Sequence, residues 1–321
     1  MRLIRTDRCD TVTLADGRRL AFTATGPADG TPVVYCHGAI GTPIEATVDI
    51  QHLTHALGVR YIAPSRPGVG ASDPAPGRTV VDFAEDVRQL ADALALKRFS
   101  VVGVSAGGPY ALGLAYRLRG RVGRVAVCSS LSPACAPHAT PGMQRRVKLG
   151  LALLAQRPEL VRVVGDRVLE SVARHPELIN RAIAAHAAPA ERERLAEPRA
   201  RAAASSSFLD GTAAGVGGLI DDYLTYASGW GFPVEEVYNE VHLWHGAADP
   251  LVPLDHALTL AASLPRCQVF VDADEGHHFF RSSLPQILRK LLSGAQQARP
   301  EAGRASASMP PARPAWLHAS R

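Results

Sequence analysis

The 321-residue chain contains neither a CxxC pair nor an HExxH segment, and its five cysteines (Cys9, Cys36, Cys128, Cys135 and Cys267) are scattered and odd in number. A disulfide framework and a zinc site are therefore not expected, and the cysteines read as reduced thiols. No run of 18 apolar residues occurs, so no membrane-spanning helix and no membrane partner are expected. The opening MRLIRTDRCDTVTL has arginines but no apolar stretch behind them, which makes the cytoplasm the expected location. An excess of one charge is also nearly absent. Of the net +5, the last residues, Ala295 to Arg321, carry +3 through Arg299, Arg304, Arg313 and Arg321 against Glu301 alone. The remaining body is close to neutral and has no basic block interleaved with aromatics, so a nucleic-acid partner is not expected.

What the chain does have is ordinary globular composition, 46% hydrophobic and 20% charged, enough for one large α/β domain with an insertion. CDTVTLADGRRLAFTATG alternates apolar and polar residues on either side of Asp16-Gly17, the pattern of a hairpin. From Pro32 the pattern changes to short continuous apolar runs: PVVYCHG, VRYIAP, FSVVGVS, RVAVCSS, VHLWHG and CQVFVDA. Most are followed by helix-length segments, which predicts a buried parallel sheet wound with helices. In TVVDFAEDVRQLADALALKR, Thr79 is the candidate N-cap, and Val80, Phe83, Val87, Leu90, Ala91 and Leu94 recur at helical spacing.

Between Ser132 and Pro233 the strand rhythm stops, and the chain reads as helices broken at prolines. This predicts a core of residues 1–132 and 234–294 and a helical lid of 133–233 over the C-terminal edge of the sheet. Residues 295–321, rich in Ala, Pro and Arg, predict a disordered tail.

The chemistry centres on VVGVSAGGPY, where Ser105 stands between Gly103 and Gly107, directly after an apolar strand and directly before a good helix. A sharp strand-to-helix turn strains the serine backbone and leaves room only for small neighbours two before and two after. It also places the Ala106 N–H at a helix N-terminus, where a developing negative charge is favoured. A serine hydroxyl is a weak nucleophile at neutral pH, so a histidine base and an orienting carboxylate must follow. Asp249 ends the VHLWHGAADPLVP segment, and His277 and His278 follow CQVFVDADEG. His277 is favoured because Gly276 permits the turn before it. Asp249 is favoured over Asp272, Asp274 and Glu275, which read as a solvated loop. The order Ser105, Asp249, His277 is that of a nucleophile-elbow hydrolase. A second oxyanion donor is expected from YCHGAIGTP, where the Ala39 N–H is the candidate and His37 braces the loop. His245 has a similar bracing role. No metal and no cofactor are called for.

These segments resemble the α/β-hydrolase superfamily, on HGAIG, APSRPGVGASDP, GVSAGG, HGAADPLVP and DEGHHF, from about Asp10 to Leu292. The resemblance implies an α/β-hydrolase fold: a mostly parallel eight-stranded sheet with an antiparallel second strand, flanked by helices, and a helical cap between strands six and seven. It also points to the capped branch with a serine nucleophile, that of carboxylesterases and prolyl aminopeptidases. One departure is Ser65, where many relatives carry an aspartate. Epoxide hydrolases and haloalkane dehalogenases are similar in fold but use an aspartate at the elbow, and Ser105 argues against both.

The expected activity is cofactor-independent hydrolysis of a carboxylic ester of an apolar acyl compound through an acyl-enzyme. A peptidase of the prolyl-aminopeptidase kind is an alternative, with Glu170, Glu177, Asp221, Asp222, Glu235 and Glu236 as candidate lid acids for a free amine. A non-catalytic ligand-binding protein on the same fold is another.

Overall fold

The computed structural model describes residues 3–4, 9–39, 42–133 and 145–293. Cys135, residues 134–144 of the expected lid and the expected tail 295–321 lie outside the described residues. In chain order the elements are β1 (Leu3–Ile4), β2 (Asp10–Thr13), β3 (Arg19–Thr25), β4 (Thr31–Cys36), α1 (Pro43–Leu57), β5 (Val59–Pro64), α2 (Phe83–Ala93), β6 (Phe99–Val104), α3 (Gly107–Arg117) and β7 (Val122–Cys128). Six helices follow: α4 (Arg145–Gln156), α5 (Pro158–Arg174), α6 (Glu177–Ala184), α7 (Pro189–Ala196), α8 (Pro198–Gly211) and α9 (Gly217–Ala227). The chain then returns to the sheet with β8 (Val241–Gly246), α10 (Asp255–Ser263), β9 (Cys267–Asp272) and α11 (Phe280–Leu292). No helix among the described residues is long and apolar enough to cross a membrane.

The strands form one sheet in the order β1-β2-β3-β5-β4-β6-β7-β8-β9. From β5 onward neighbouring strands are parallel, while β1, β2 and β3 are antiparallel additions. The eight expected strands are all present. The ninth is β1, a two-residue bridge from Leu3 to Val12 at the edge, and it shifts the count so that the inserted helices fall between β7 and β8.

The hairpin forms as its alternation predicts, with Val12 opposite Leu20. Gly17, at φ 88, turns the chain and donates its N–H to the Leu14 carbonyl.

Successive strand residues serve opposite faces, as strand geometry requires. Val34 and Cys36 pack with α2 and α3, among Phe83, Val87, Tyr110 and Leu114. Val33 and Tyr35 pack on the other face with Phe279, Leu284, Ile287 and Leu288. Continuous apolar runs are needed because both faces are covered.

Two expectations change. The helix containing Phe83 begins four residues after Thr79, because the Asp82 carboxylate accepts both the Thr79 N–H (2.7 Å) and its hydroxyl (2.8 Å) and closes a separate turn. Thr79 is therefore not its N-cap. β9 is an edge strand, not a buried one: Val269 and Val271 are exposed, while Phe270 stacks on Trp244 at 4.1 Å. An apolar run alone cannot distinguish a central strand from a final one.

β4 is followed in chain order by β5 on one side, and β6 lies on its other side. Strand order reverses there, and the C-terminal ends of β4 and β6 are the switch point at which open α/β sheets bind ligands.

Candidate active site

Two glycines, Gly103 and Gly107, set the backbone of the elbow by how little room they leave. A Cβ on Gly103 would stand 2.6 Å from the Ala111 Cβ, and one on Gly107 would stand 2.0 Å from the Cys36 carbonyl oxygen. Both distances are far below contact, so α3 packs on the sheet only because side chains are missing there. A Cβ on Gly38 would be 3.6 Å from the Ser105 Cβ, so the loop after β4 runs alongside the serine. Ser105 itself has φ 53, the left-handed region that disfavours residues with a side chain. Its amide donates to the Cys128 carbonyl at 2.8 Å, and its carbonyl accepts the Gly108 N–H at 3.0 Å. The strain is held from both sides.

Ser105 follows β6, Asp249 lies in the turn after β8, and His277 lies in the loop after β9. The fold brings these distant positions into one line. The Ser105 hydroxyl donates to His277 Nε2 at 2.9 Å, and His277 Nδ1–H donates to Asp249 Oδ2 at 2.7 Å. The Asp249 partner assigns the ring tautomer, leaving Nε2 as the acceptor. The other Asp249 oxygen accepts the N–H groups of Leu251 (2.8 Å) and Val252 (2.9 Å). Burial works against the Asp249 charge, but His277 and these amides outweigh it and hold the carboxyl below its ordinary range. Burial likewise opposes protonation of His277, yet the Asp249 charge and hydrogen bond raise its pKa. Ser105, His277 and Asp249 are thus connected in a polarised hydrogen-bonded chain.

Ala106 sits at the start of α3 with helical backbone angles, and Ala39 ends the stretch His37-Gly38-Ala39 after β4. His37 is fully buried. Its Nε2 accepts the Arg66 N–H at 3.2 Å, which leaves Nδ1–H to donate to the Gly38 carbonyl at 2.8 Å. Burial and the nearby Arg66 charge hold His37 neutral, with its pKa well below the ordinary histidine value. It braces the loop and has no contact with Ser105 that would make it a base. His245 braces the turn after β8 by donating Nε2–H to the Val252 carbonyl at 2.8 Å.

His278 points elsewhere. Its ring meets that of His277 edge-on at 5.4 Å, and burial together with the neighbouring His277 pushes its pKa down to about 3. Asp272 accepts the Asp274 N–H, and Glu275 pairs with Arg194, so these loop acids are engaged away from the ring.

Of the candidate acids, Glu170 and Glu177 on the inserted helices and Glu235 and Glu236, beyond α9, are exposed, and Asp221 faces Arg162 at 3.6 Å. Asp222 is fully buried, and both of its oxygens are occupied. It accepts Arg66 Nε at 2.7 Å on one oxygen, and Arg78 NH2 (2.5 Å) and the Tyr110 hydroxyl (2.9 Å) on the other. Arg66 in turn donates to the carbonyls of His37 (2.5 Å) and Gly38 (2.9 Å) and lies over the Tyr110 ring. Helix α9 is thereby linked, through a single guanidinium, to the loop bearing Ala39. Two consecutive aspartates inside the apolar GLIDDYLTY were the available signal of a buried ion pair, but the partner could not be read from spacing.

Glu191 of α7 carries no motif, yet it bonds the backbone next to His277. It is 1% exposed, accepts the His278 N–H at 2.5 Å on Oε1 and the Ala188 N–H at 3.0 Å on Oε2. Only the fold brings it there.

A family model described as alpha/beta hydrolase fold matches residues 31–282. The chain is 36% identical over 127 residues to a non-heme chloroperoxidase of Streptomyces lividans, a match covering 38% of this chain and 45% of that protein. It is 27% identical over 271 residues to a 2-hydroxymuconate semialdehyde hydrolase of Pseudomonas putida, covering 82% of this chain and 86% of that one. In three dimensions it is similar to an esterase from Exiguobacterium antarcticum with a TM-score of 0.64 at 18% identity, covering 89% of this chain and 98% of the other. With the family match spanning most of its length and the nine-stranded wound sheet in place, the chain belongs to the α/β-hydrolase-fold family.

Proposed function

We propose that this protein is a cofactor-independent serine hydrolase that cleaves carboxylic esters through an acyl-enzyme, with Ser105, His277 and Asp249 as its triad. The observation that carries the reading is His277, joined at 2.9 Å to Ser105 and at 2.7 Å to Asp249 on opposite ring nitrogens. His277 Nε2 takes the hydroxyl proton as Ser105 Oγ bonds to the carbonyl carbon. The N–H groups of Ala39 and Ala106 hold the resulting oxyanion. His277 then returns the proton to the departing alkoxide, and the ester bond breaks. Water repeats the sequence on the acyl-enzyme, releasing the acid and free Ser105. Every step is a proton or acyl transfer, and none calls for a metal or redox partner.

Helices α4 to α9 form the cap in this reading. The candidate acids do not favour a peptidase, since the buried Asp222 is bound to Arg66 and Arg78 and Glu170, Glu177, Glu235 and Glu236 are exposed. Nor does apolar composition alone define the acyl pocket: Leu149, Leu160, Val163, Val164 and Val168 are exposed on α4 and α5. The relatives named as hydrolase and esterase support hydrolysis and leave the substrate open.

The test is turnover of p-nitrophenyl esters of increasing chain length by wild type and Ser105→Ala, with fluorophosphonate labelling of Ser105. Ester turnover lost in the variant, and a covalent label, are the expected results. Failure of wild type both to turn over and to label would replace this reading with a ligand-binding role.

A further inference from the structure

The loop that carries His277 is clamped between two parts of the chain. On the core side, a Cβ on Gly246 would stand 2.3 Å from the Glu275 carbonyl oxygen, and the Ala248 N–H donates to that same oxygen at 3.0 Å. On the other side the loop meets α7. The Glu191 carboxylate accepts the His278 N–H, and Arg194, one turn further along α7, pairs with Glu275. A Cβ on Gly276 would stand 2.5 Å from Glu191 Oε2 and 2.7 Å from the Ala188 Cβ, so the carboxylate lies directly on the glycine before His277.

A carboxylate 1% exposed is costly unless its oxygens are satisfied. Here both accept backbone N–H groups, one from its own helix start and one from the residue after His277. An ionised carboxylate can accept both. A protonated carboxyl or an amide keeps only one good acceptor and turns a donor toward the second N–H. Burial raises the Glu191 pKa, while the two backbone N–H groups and His277 act the other way and favour the charged form.

We propose that Glu191 is a positioning residue of the proposed hydrolase: its carboxylate fixes the Gly276–His278 backbone so that His277 Nε2 reaches Ser105, making the seating of α7 a condition for an assembled triad. This rests on the triad reading above and adds a cap residue to it. Glu191 touches neither Ser105 nor the His277 ring nitrogens and acts through the backbone. Its charge also favours protonated His277, in the same direction as Asp249. The other groups facing this region are His245 from β8, Asp249 from the turn beyond it, and Glu275, His278 and Arg281 from the His277 loop and the start of α11. His186 and Arg194 face it from the inserted helices. Glu191 is the carboxylate among them that bonds the backbone beside His277.

The experiment compares wild type, Glu191→Gln and Gly276→Ala at a temperature where all three are folded by circular dichroism. Glu191→Gln is nearly isosteric and removes the charge and one acceptor. Gly276→Ala displaces the same carboxylate from the opposite side while leaving residue 191 in place. For each, the rate of Ser105 labelling by a fluorophosphonate and the pH profile of ester kcat/KM are measured. The expected result is a labelling rate and kcat lowered at least about tenfold in both variants, with KM little changed. The acid limb of the Glu191→Gln profile is expected to move to lower pH, because the charge that favours the imidazolium is gone. Wild-type labelling rate and an unshifted acid limb in Glu191→Gln would overturn the proposal and leave Glu191 as packing. Absence of labelling in wild type would instead overturn the triad reading, and this inference with it.

Discussion

Gly107 lies so close beneath Cys36 that a methyl group on it would stand 2.0 Å from the Cys36 carbonyl oxygen. The contact joins the first turn of α3 to the end of β4, the two segments that border Ser105. Replacing Gly107 with alanine forces them apart. The expected outcome is a loss of at least about 1–3 kcal/mol in urea-denaturation stability, with loss of ester turnover at temperatures where the variant is still folded.

Ser105 at φ 53 stores strain that belongs to its role. Ser105→Ala and Ser105→Gly both remove the proposed nucleophile and are expected to lower turnover by about 10³-fold or more. Their stabilities should differ. Glycine is at ease in the left-handed region, whereas alanine is not, so the glycine variant should melt higher, by about 1 kcal/mol. Equal melting of the two would mean that the elbow is not strained in solution.

His277 must be neutral to accept the serine proton, and its pKa is raised above the ordinary 6.5. The kcat/KM for esters is therefore expected to climb with pH through a value above 6.5. Asp249→Asn removes the stabilising charge, so the acid limb should move to lower pH while the plateau falls by about 10³-fold or more. The stability linkage has a definite sign. A raised folded-state pKa contributes stability that is fully present below the unfolded value and fades as pH rises through the folded one. Denaturation titrated across neutral pH, in wild type against Asp249→Asn, measures that contribution.

Asp222 holds two buried guanidiniums, Arg66 and Arg78, whose side chains are 0% and 4% exposed. Asp222→Ala leaves both without their carboxylate, which is expected to cost about 3–5 kcal/mol. Because Arg66 also donates to the His37 and Gly38 carbonyls, the loop of Ala39 should loosen as well. Chemical denaturation reads the first effect, and kcat on esters at a permissive temperature reads the second. A variant of unchanged stability would show that the ion cluster is compensated elsewhere.

Much of this protein was legible in the order of its residues. The apolar runs marked the parallel strands because a sheet covered on both faces needs unbroken apolar stretches. The small residues around Ser105 marked the elbow because a sharp turn excludes side chains. Asp249 and His277 stood out because each follows a strand, with Pro250 after the one and Gly276 before the other. Local pattern went wrong where geometry is not local. Thr79 looked like a helix cap until the Asp82 carboxylate closed its own turn, and Val269 and Val271 looked buried until β9 proved to be the edge.

The role of the inserted helices belongs to tertiary structure alone. The apolar neighbours of Asp222 marked its burial but not its partner, and Glu191 has the spacing of many surface acids. One is buried against Arg66, 156 positions away in sequence, and the other against His278, 87 positions away. Helical periodicity tells which residues share a face. It does not tell where that face docks, because docking depends on how whole helices pack on a distant sheet. Sequence by itself determined the fold and the positions proposed for the nucleophile and its partners; only the packing of α7 and α9 decided which acids reach the loops around Ser105, because burying a charge requires a partner that the chain supplies from afar.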